Sequence, residues 1–300
     1  MSGPKRTIAK VVVPVVAAVT VGAVAYAGNM ANTPPTHDRT SSASAAGSAH
    51  ASKAEVGDPG NPATWRLPIE AYLPAKADTR FISATRDSLI DECMKAAGYD
   101  QWTPAPDLPE IGGKTLTDWR YGIHDTELAA KRGYHPDAAE QRAYDEAQEA
   151  GAVDESGADD TTLKGCVTQA DGKAPSAQPA ALAQQISNDS YLESMNAPSV
   201  IDAFAKWSSC MKAQGYSYAK PMDANDDSRF SDPYNVTDEE IATAKADVSC
   251  RSTYNVEKVW FDAEAALQQT AIAKNQADLN KARKAIKSAV VKAKSVSTVQ

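Results

Sequence analysis

The feature that most constrains this chain is a heptapeptide that occurs twice. The sequence C-M-K-A-A-G-Y at residues 93–99 returns as C-M-K-A-Q-G-Y at residues 210–216. One further cysteine follows each copy, Cys166 after the first and Cys250 after the second, and the chain contains 4 cysteines in all. The pattern predicts two helical units, each closed by its own disulfide.

Each copy is typical of the last turn of a helix. A glycine just beyond the helix cap adopts the left-handed backbone that other residues reach only at a cost. The count back from each glycine pairs a methionine of the last turn with the tyrosine beyond the glycine: Met94 with Tyr99 around Gly98, and Met211 with Tyr216 around Gly215. These residues are therefore predicted to end helices rather than to hold a cofactor, and no cofactor is expected.

The N-terminus predicts export from the cytoplasm. Lys5 and Arg6 precede an apolar stretch at residues 11–27, which ends in small residues around Tyr26. A basic start, an apolar core and a small-x-small end are typical of an export signal, with cleavage after Ala27. An uncleaved membrane anchor remains an alternative, because the stretch is near the lower length limit for a membrane span. In both cases the protein is expected outside the cytoplasm, secreted or anchored to the outer face of the cytoplasmic membrane.

Outside the cytosol, an even number of cysteines predicts disulfides. Four cysteines permit three pairings, and the repeat favours Cys93–Cys166 and Cys210–Cys250, because each copy then pairs with the next cysteine. A zinc site normally needs pairs of closely spaced cysteines. The spacings here are tens of residues, so no metal site is predicted from the cysteines.

Composition and the positions of proline and glycine divide the chain into four segments. They are an export signal or anchor at residues 1–27, a disordered tether rich in Ser, Ala and Pro at 28–60, a first helical unit at 61–178 and a second at 179–300. The folded region can form one compact unit or two interlocked ones. Alternating apolar and polar residues are almost absent, so the predicted fold class is all-α.

The second unit is predicted to end in a long helix. Thr237 begins a capping-box pattern, and from there to about residue 294 neither Pro nor Gly interrupts the sequence. An unbroken helix of that length would span roughly 85 Å, unless it bends or breaks. Ile272, Leu279 and Ile286 continue its apolar side at the spacing of a coiled coil.

The charge of the chain is unevenly distributed. The net charge is −8 at pH 7, which argues against nucleic-acid binding. The C-terminal segment is basic, with only Asp278 opposing Lys274, Lys281, Arg283, Lys284, Lys287, Lys292 and Lys294. Two interpretations stay open: a solvated helix face, or a contact for anionic wall polymers, lipid headgroups or an acidic envelope protein.

Other residues suggest binding chemistry only weakly. His124 and His135 lack the spacing of a helical zinc pair and a clear third ligand. Residues 223–234 begin like a calcium-binding EF-hand loop, but Ser228 and Tyr234 stand where glycine and glutamate are required. A solvated acidic turn is expected there, and a loose calcium site is the alternative.

Four short motifs resemble a family of exported or membrane-anchored proteins of high-GC actinobacteria of the Streptomyces type, to which no activity is assigned. The motifs are Arg120-Tyr121-Gly122, Gly133-Tyr134-His135-Pro136, Trp207-Ser208-Ser209-Cys210-Met211 and Ala246-Asp247-Val248-Ser249-Cys250. The resemblance spans about residues 69–294. It implies no catalytic residues, and it places such proteins beside peptidoglycan-binding and export-pump components.

The leading hypothesis for function is therefore a non-catalytic protein of the cell envelope that acts through its surfaces. A first alternative is an accessory subunit of an envelope transporter or wall-remodelling assembly, which would use the long C-terminal helix against a partner. A second alternative is a cell-wall-acting enzyme with a carboxylate pair such as Glu70 and Glu92.

Overall fold

The computed structural model describes residues 52–151, 154 and 156–297. The predicted export signal or anchor, and the predicted tether up to residue 51, lie outside the described residues. Within them the chain forms ten α-helices and short 3₁₀ turns, and its single pairing of β type is a bridge between Glu55 and Arg66. The predicted all-α fold class is confirmed.

The helices are connected by loops and short turns. In chain order they are α1 (Lys76–Ala96), α2 (Thr126–Arg132), α3 (Ala138–Gly151), α4 (Asp160–Lys173), α5 (Ala181–Ser194), α6 (Pro198–Ala213), α7 (Pro221–Asn225), α8 (Asp238–Tyr254), α9 (Val256–Lys274) and α10 (Gln276–Ser297). Several begin at a capping side chain. Asp125, Asp159 and Thr237 accept hydrogen bonds from backbone N–H groups of the first turns of α2, α4 and α8.

Both heptapeptides end a helix with the geometry that the count from the glycine predicts. At the end of α1 the glycine has a φ of +91°, and the amide of Tyr99 donates to the carbonyl of Met94 at 3.0 Å. At the end of α6 the glycine has a φ of +95°, and the amide of Tyr216 donates to the carbonyl of Met211 at 3.0 Å. Both methionines are fully buried, so the repeat has a structural role.

The two predicted disulfides are present. Cys93 of α1 is bonded to Cys166 of α4, and Cys210 of α6 is bonded to Cys250 of α8, with Cα atoms 5.6 and 5.8 Å apart. They close segments with sequence separations of 73 and 40 residues, which corresponds to about 4 kcal/mol each in the chain-entropy model. Each bond links two helices within one half of the chain.

Aromatic side chains form the centre of the larger apolar cluster, which we call the main core. Trp260 and Phe261 of α9 are fully buried in it. The ring of Trp260 packs against Phe204 with centroids 5.0 Å apart, and the ring of Phe261 packs against Trp65 at the same distance. Because Trp65 precedes α1 and α9 lies late in the chain, the main core joins the two predicted units.

A second core lies between α1, α4 and α10. It buries Leu89 and Met94 of α1, Cys166 of α4, and Val290 and Ala293 of α10. The last helix therefore completes the core of the first half by packing on α1 and α4. Each disulfide lies at one core. The boundary predicted between residues 178 and 179 does not separate the cores, because the second core contains residues from both sides of it. The two halves are interlocked.

The segment after Thr237 that lacks Pro and Gly forms three helices instead of one. Asn255 has a left-handed backbone with a φ of +50° and separates α8 from α9. Asn275 separates α9 from α10, and its side-chain amide donates to the carbonyl of Ala271 at 2.9 Å. Asparagine enters the left-handed conformation more readily than other residues with a Cβ, which explains the turn at Asn255 in the absence of glycine. Asn275 keeps a negative φ of −116°. The long C-terminal helix is α10, with 22 residues.

The folded region begins before residue 61, which corrects the predicted end of the tether at residue 60. The backbone groups of Glu55 and Arg66 pair in both directions, at 3.0 and 2.9 Å. The indole Nε1 of Trp65 donates to the carbonyl of Asp58 at 2.7 Å. These hydrogen bonds involve backbone groups. Amino-acid composition, on which the predicted boundary was based, gives no information about them.

Candidate binding surface

The outer side of α10 carries most of the residues predicted to contact an anionic partner. We call it the basic face, and it consists of the exposed residues Lys281, Arg283, Lys284, Lys287, Lys292 and Lys294. Lys274, the seventh predicted residue, is exposed at the end of α9. Helical periodicity places Lys281, Lys284 and Lys292 on the side of α10 away from the packed residues Leu279, Val290 and Ala293. The side chains of Arg283, Lys287 and Lys294 lie at the edge between the packed and the exposed sides.

The basic face differs in charge from the rest of the molecule. α10 has six basic residues and one acidic residue, Asp278, and its formal charge is therefore +5. The whole chain carries −8, so the residues outside α10 carry −13. Such segregation produces a positive potential over one surface of an acidic protein.

Arg283 lies at the edge of the basic face and is held by neighbouring side chains. Its guanidinium lies 5.3 Å from the centroid of the Tyr72 ring, and its Nη2 donates to Oδ1 of Asn280 at 3.0 Å. A guanidinium over an aromatic ring is attracted by the ring quadrupole. Arg283 thus helps to attach α10 to the main core.

The two histidines considered as metal ligands lie beside different carboxylates. Nε2 of His124 is 2.7 Å from Oδ1 of Asp118, and Nε2 of His135 is 3.5 Å from Oε1 of Glu240. Among the residues that the structure describes, no three His, Cys, Asp or Glu side chains are grouped so that they could hold a metal ion. Each histidine has its own carboxylate neighbour.

The carboxylates of the acidic loop after α6 already have partners. Asp227 accepts hydrogen bonds from Nη2 of Arg229 at 2.7 Å and from the hydroxyl of Tyr218 at 2.8 Å. The bonds from Arg229 are the main reason why the pKa of Asp227 lies well below its usual value. Asp223 accepts from the amide of Lys220 at 2.9 Å. The stretch that resembles an EF-hand therefore uses two of its carboxylates for internal contacts.

Glu70, one member of the carboxylate pair considered for an enzyme, has other neighbours. It accepts the amide of Leu67 at 2.7 Å and lies close enough to Arg120 and Glu264 to interact with their charges. Burial raises the pKa of Glu70. Glu92 lies exposed on α1. The contacts of Glu70 are those of a structural carboxylate at the edge of the main core.

The Arg120-Tyr121 motif belongs to a buried hydrogen-bond network. Arg120 pairs with both oxygens of Glu264, at 2.8 and 2.9 Å, and the hydroxyl of Tyr121 donates to Oε2 at 2.8 Å. Gln268 donates to Oε1 at 2.7 Å. Burial, together with the neighbouring carboxylate, raises the pKa of Tyr121 well above its usual value. Glu264 is fully buried and hydrogen-bonded at both oxygens, as a buried carboxylate requires.

Trp207 and Asp247, from two further motifs, meet in a second buried network. Oδ1 of Asp247 accepts from Nε1 of Trp207 at 2.8 Å and from Nε of Arg251 at 2.6 Å. Nη1 of Arg251 donates to the carbonyl of Tyr121. Asp247 and Arg251 are both fully inaccessible to solvent. This ion pair connects α6, α8 and the segment before α2.

The Gly133-Tyr134-His135 motif surrounds a third buried carboxylate. The amide of Tyr134 donates to Oε1 of Glu240 at 3.0 Å, and Glu240 is fully buried. Gly133 has a φ of +59°, and a Cβ on it would lie 2.6 Å from Cδ of Glu240. The motifs thus mark residues of buried ionic networks. Sequence reasoning missed this because partners from different elements lie far apart along the chain, such as 40 residues for Trp207 and Asp247 and 106 for Tyr134 and Glu240.

The fold and the surface together define a disulfide-linked all-α protein with a basic helix face. None of the described helices combines the length and the apolar character that crossing a membrane requires. No family model matches the chain, and no curated protein and no solved structure is detectably similar to it. The resemblance to the exported actinobacterial family stays a prediction.

Proposed function

We propose that this protein acts outside the cytoplasm, at the cell envelope, and that its basic face binds the phosphate groups of an anionic membrane surface. The observation that carries the proposal is the segregation of charge, +5 on α10 against −13 on the rest of the chain. The two disulfides support an oxidising compartment.

The lysines of the basic face are available to such a surface. Lys281, Lys284, Lys287 and Lys292 are exposed and form no ion pair with other residues of the described part. Each basic residue near an anionic bilayer contributes about 1 kcal/mol of attraction. The acidic remainder is repelled by the same surface, so the protein is expected to bind in one orientation, with α10 towards the lipid.

Binding of this kind is peripheral. A helix that inserts into a bilayer needs a free apolar face, but α10 buries its apolar side, including Leu279 and Val290, against the protein. On the exposed side of its described residues the one large apolar side chain is Val291, 66% exposed. The same shortage of apolar side chains disfavours a partner helix packed on this face. Attachment should therefore be electrostatic and reversible.

Removing four lysines should weaken this attachment strongly. We expect the variant with Lys281, Lys284, Lys287 and Lys292 all replaced by glutamine to bind anionic vesicles roughly two to three orders of magnitude more weakly at low salt, given about 1 kcal/mol per charge. The measurement is co-sedimentation with vesicles in which a third of the lipid is phosphatidylglycerol. Raising the salt from 0.01 to 0.15 M shortens the screening length from about 30 to about 8 Å, and should weaken wild-type binding strongly.

A matched variant tests whether position matters as well as net charge. Lys53, Lys131, Lys212 and Lys245 are exposed and lie outside α10, so replacing them by glutamine changes the net charge by the same amount. This control should keep most of the binding. Equal losses in the two variants, or binding that does not respond to salt, would contradict the proposal. Binding to soluble poly(glycerol phosphate) without binding to vesicles would identify a wall polymer as the source of the phosphate.

A further inference from the structure

A small pocket opens at the corner between α8 and α9. Its volume is about 140 Å³, and it is formed by residues 59–65, the segment just before α2, and the ends of α8 and α9 that meet at Asn255. Pockets for drug-sized ligands have volumes of about 300–1,000 Å³. This pocket therefore accommodates a small chemical group rather than a large ligand.

Glu257 contributes a buried carboxyl to this pocket. The residue lies in the first turn of α9 and is only 8% exposed. Apart from its own backbone amide, it has no hydrogen-bond or ion-pair partner among the described residues. Burial raises the pKa of Glu257, and the nearby charge of Arg251 opposes this effect. A carboxylate removed from water is costly unless a partner supplies hydrogen bonds or an opposite charge, and a cation in the pocket would be such a partner.

His124 lines the same pocket in a fixed orientation. Its Nε2 is 2.7 Å from Oδ1 of Asp118, and Oδ2 of Asp118 accepts the amide of Lys114 at 2.6 Å. When Asp118 accepts the Nε2 proton, Nδ1 of the neutral imidazole is left as an acceptor. His124 is also close enough to Glu257 to influence its pKa. The hydroxyl of Ser252 provides a third acceptor on the wall.

From this arrangement we propose that the pocket binds a primary ammonium group carried by a small molecule or by the end of a longer chain. An ammonium has three N–H donors and no acceptor. Three residues of the pocket lining carry acceptors that can match them: Glu257 through its carboxylate, His124 through Nδ1 and Ser252 through its hydroxyl. Lys258 also lines the pocket, but its own ammonium is paired with Asp262 at 2.7 Å. The indole of Trp65 forms part of the wall, and aromatic rings attract cations. The rest of the ligand extends into solvent because the pocket is small.

The test follows the imidazole of His124 by nuclear magnetic resonance. The chain has 4 histidines, so labelling histidine Cε1 with ¹³C in the full-length protein gives few signals, and a His124→Gln variant identifies the one required. Titration with methylammonium at constant ionic strength should shift this signal and reach saturation. Tetramethylammonium, which has the charge but no N–H donor, should leave it in place. Glycinamide and butylamine then compare a peptide amino terminus with a lysine side chain as the source of the group.

Variants in the pocket decide whether Glu257 is the anchor. The Glu257→Gln variant should weaken methylammonium binding at least about tenfold, because the group loses its counter-charge. Circular dichroism checks that this variant is folded. If it is not, Ser252→Phe provides the test, because Ser252 is exposed and the larger side chain fills the pocket. A shift that does not saturate, that persists unchanged in these variants, or that tetramethylammonium also produces would overturn the proposal.

The dependence of binding on pH is a second readout. The ammonium pairs with the ionised form of Glu257, so its affinity should fall about tenfold per pH unit once the pH is below the raised pKa. The charged and titratable groups that act on Glu257 or share its pocket are Arg251, Asp247, His124 and Lys258, the last of which is paired with Asp262. An affinity that stays constant down to acidic pH would exclude Glu257 as the anchor.

Discussion

The Asp247→Ala variant is expected to lose about 3–5 kcal/mol of the free energy of unfolding, the usual cost of leaving one member of a buried ion pair alone. Asp247 accepts hydrogen bonds from Arg251 at 2.6 Å and from Trp207 at 2.8 Å. Both members of the pair are fully buried, so water cannot replace the carboxylate. Denaturation in guanidinium chloride, followed by circular dichroism with the disulfides intact, measures the loss.

A neighbouring ion pair with the same sequence spacing provides the control. Asp262 pairs with Lys258 on α9 at 2.7 Å, but the two side chains are 57% and 32% exposed. The Asp262→Ala variant should lose at most about 0.5 kcal/mol, as exposed pairs do. The double variant Asp247→Leu with Arg251→Met should be more stable than Asp247→Ala, because no unpaired charge remains. Equal losses for Asp247→Ala and Asp262→Ala would show that burial of the ion pair does not increase its contribution to the free energy of unfolding.

The Gly122→Ala variant should lose about 3–6 kcal/mol, because backbone strain and steric overlap act together. Gly122 has a φ of +108°, and a Cβ on it would lie 2.6 Å from Nη2 of Arg251 and nearer still to Cζ. Arg251 cannot move aside without breaking its bonds to Asp247 and to the carbonyl of Tyr121. The same unfolding measurement applies.

Two other glycines separate the strain from the overlap. Gly98 and Gly215 have φ values of +91° and +95°, and no heavy atom lies within 4 Å of an added Cβ at either position. Alanine at these sites should cost only the backbone strain, about 1–2 kcal/mol. A loss in Gly122→Ala no larger than in Gly98→Ala would mean that Arg251 adapts to the added methyl group.

Features set by local chemistry could be predicted from the sequence. The two helix ends follow from a methionine, a glycine and a tyrosine at fixed spacing, and the hydrogen bonds at Tyr99 and Tyr216 have that geometry. The disulfide pairing follows from the order of the repeat. The basic face follows from the period of an α-helix, since one face of α10 is apolar enough to pack and the lysines occupy the remainder.

Features that join distant parts of the chain could not be predicted in this way. Nothing near Arg120 indicates that its partner is Glu264, which lies 144 residues later. The two asparagines that break the C-terminal segment gave a weak local signal, because asparagine also occurs within helices. The break at Asn275 allows α10 to change direction and pack on α1, so a boundary read from the sequence cannot give each half its own core.

The pocket at Glu257 was missed for the same reason. Its walls come from residues 59–65, from His124 and from the junction of α8 and α9, which no spacing rule connects. The nearest sequence signal is His124, whose surroundings in the sequence fit neither a metal site nor any other known motif. A histidine beside a carboxylate becomes informative only when the structure shows what else faces it.

The position of α10 sets the order in which this chain can complete its folding. Cys93 and Cys166 can approach each other once residue 166 has been made, but the apolar side chains around them stay uncovered until Val290 and Ala293 arrive. Covalent closure of the first half can therefore precede its burial. A nascent chain leaving a ribosome or a translocation channel must emerge beyond residue 293 before the core of that half is covered, and until then it exposes apolar surface of the kind that aggregates.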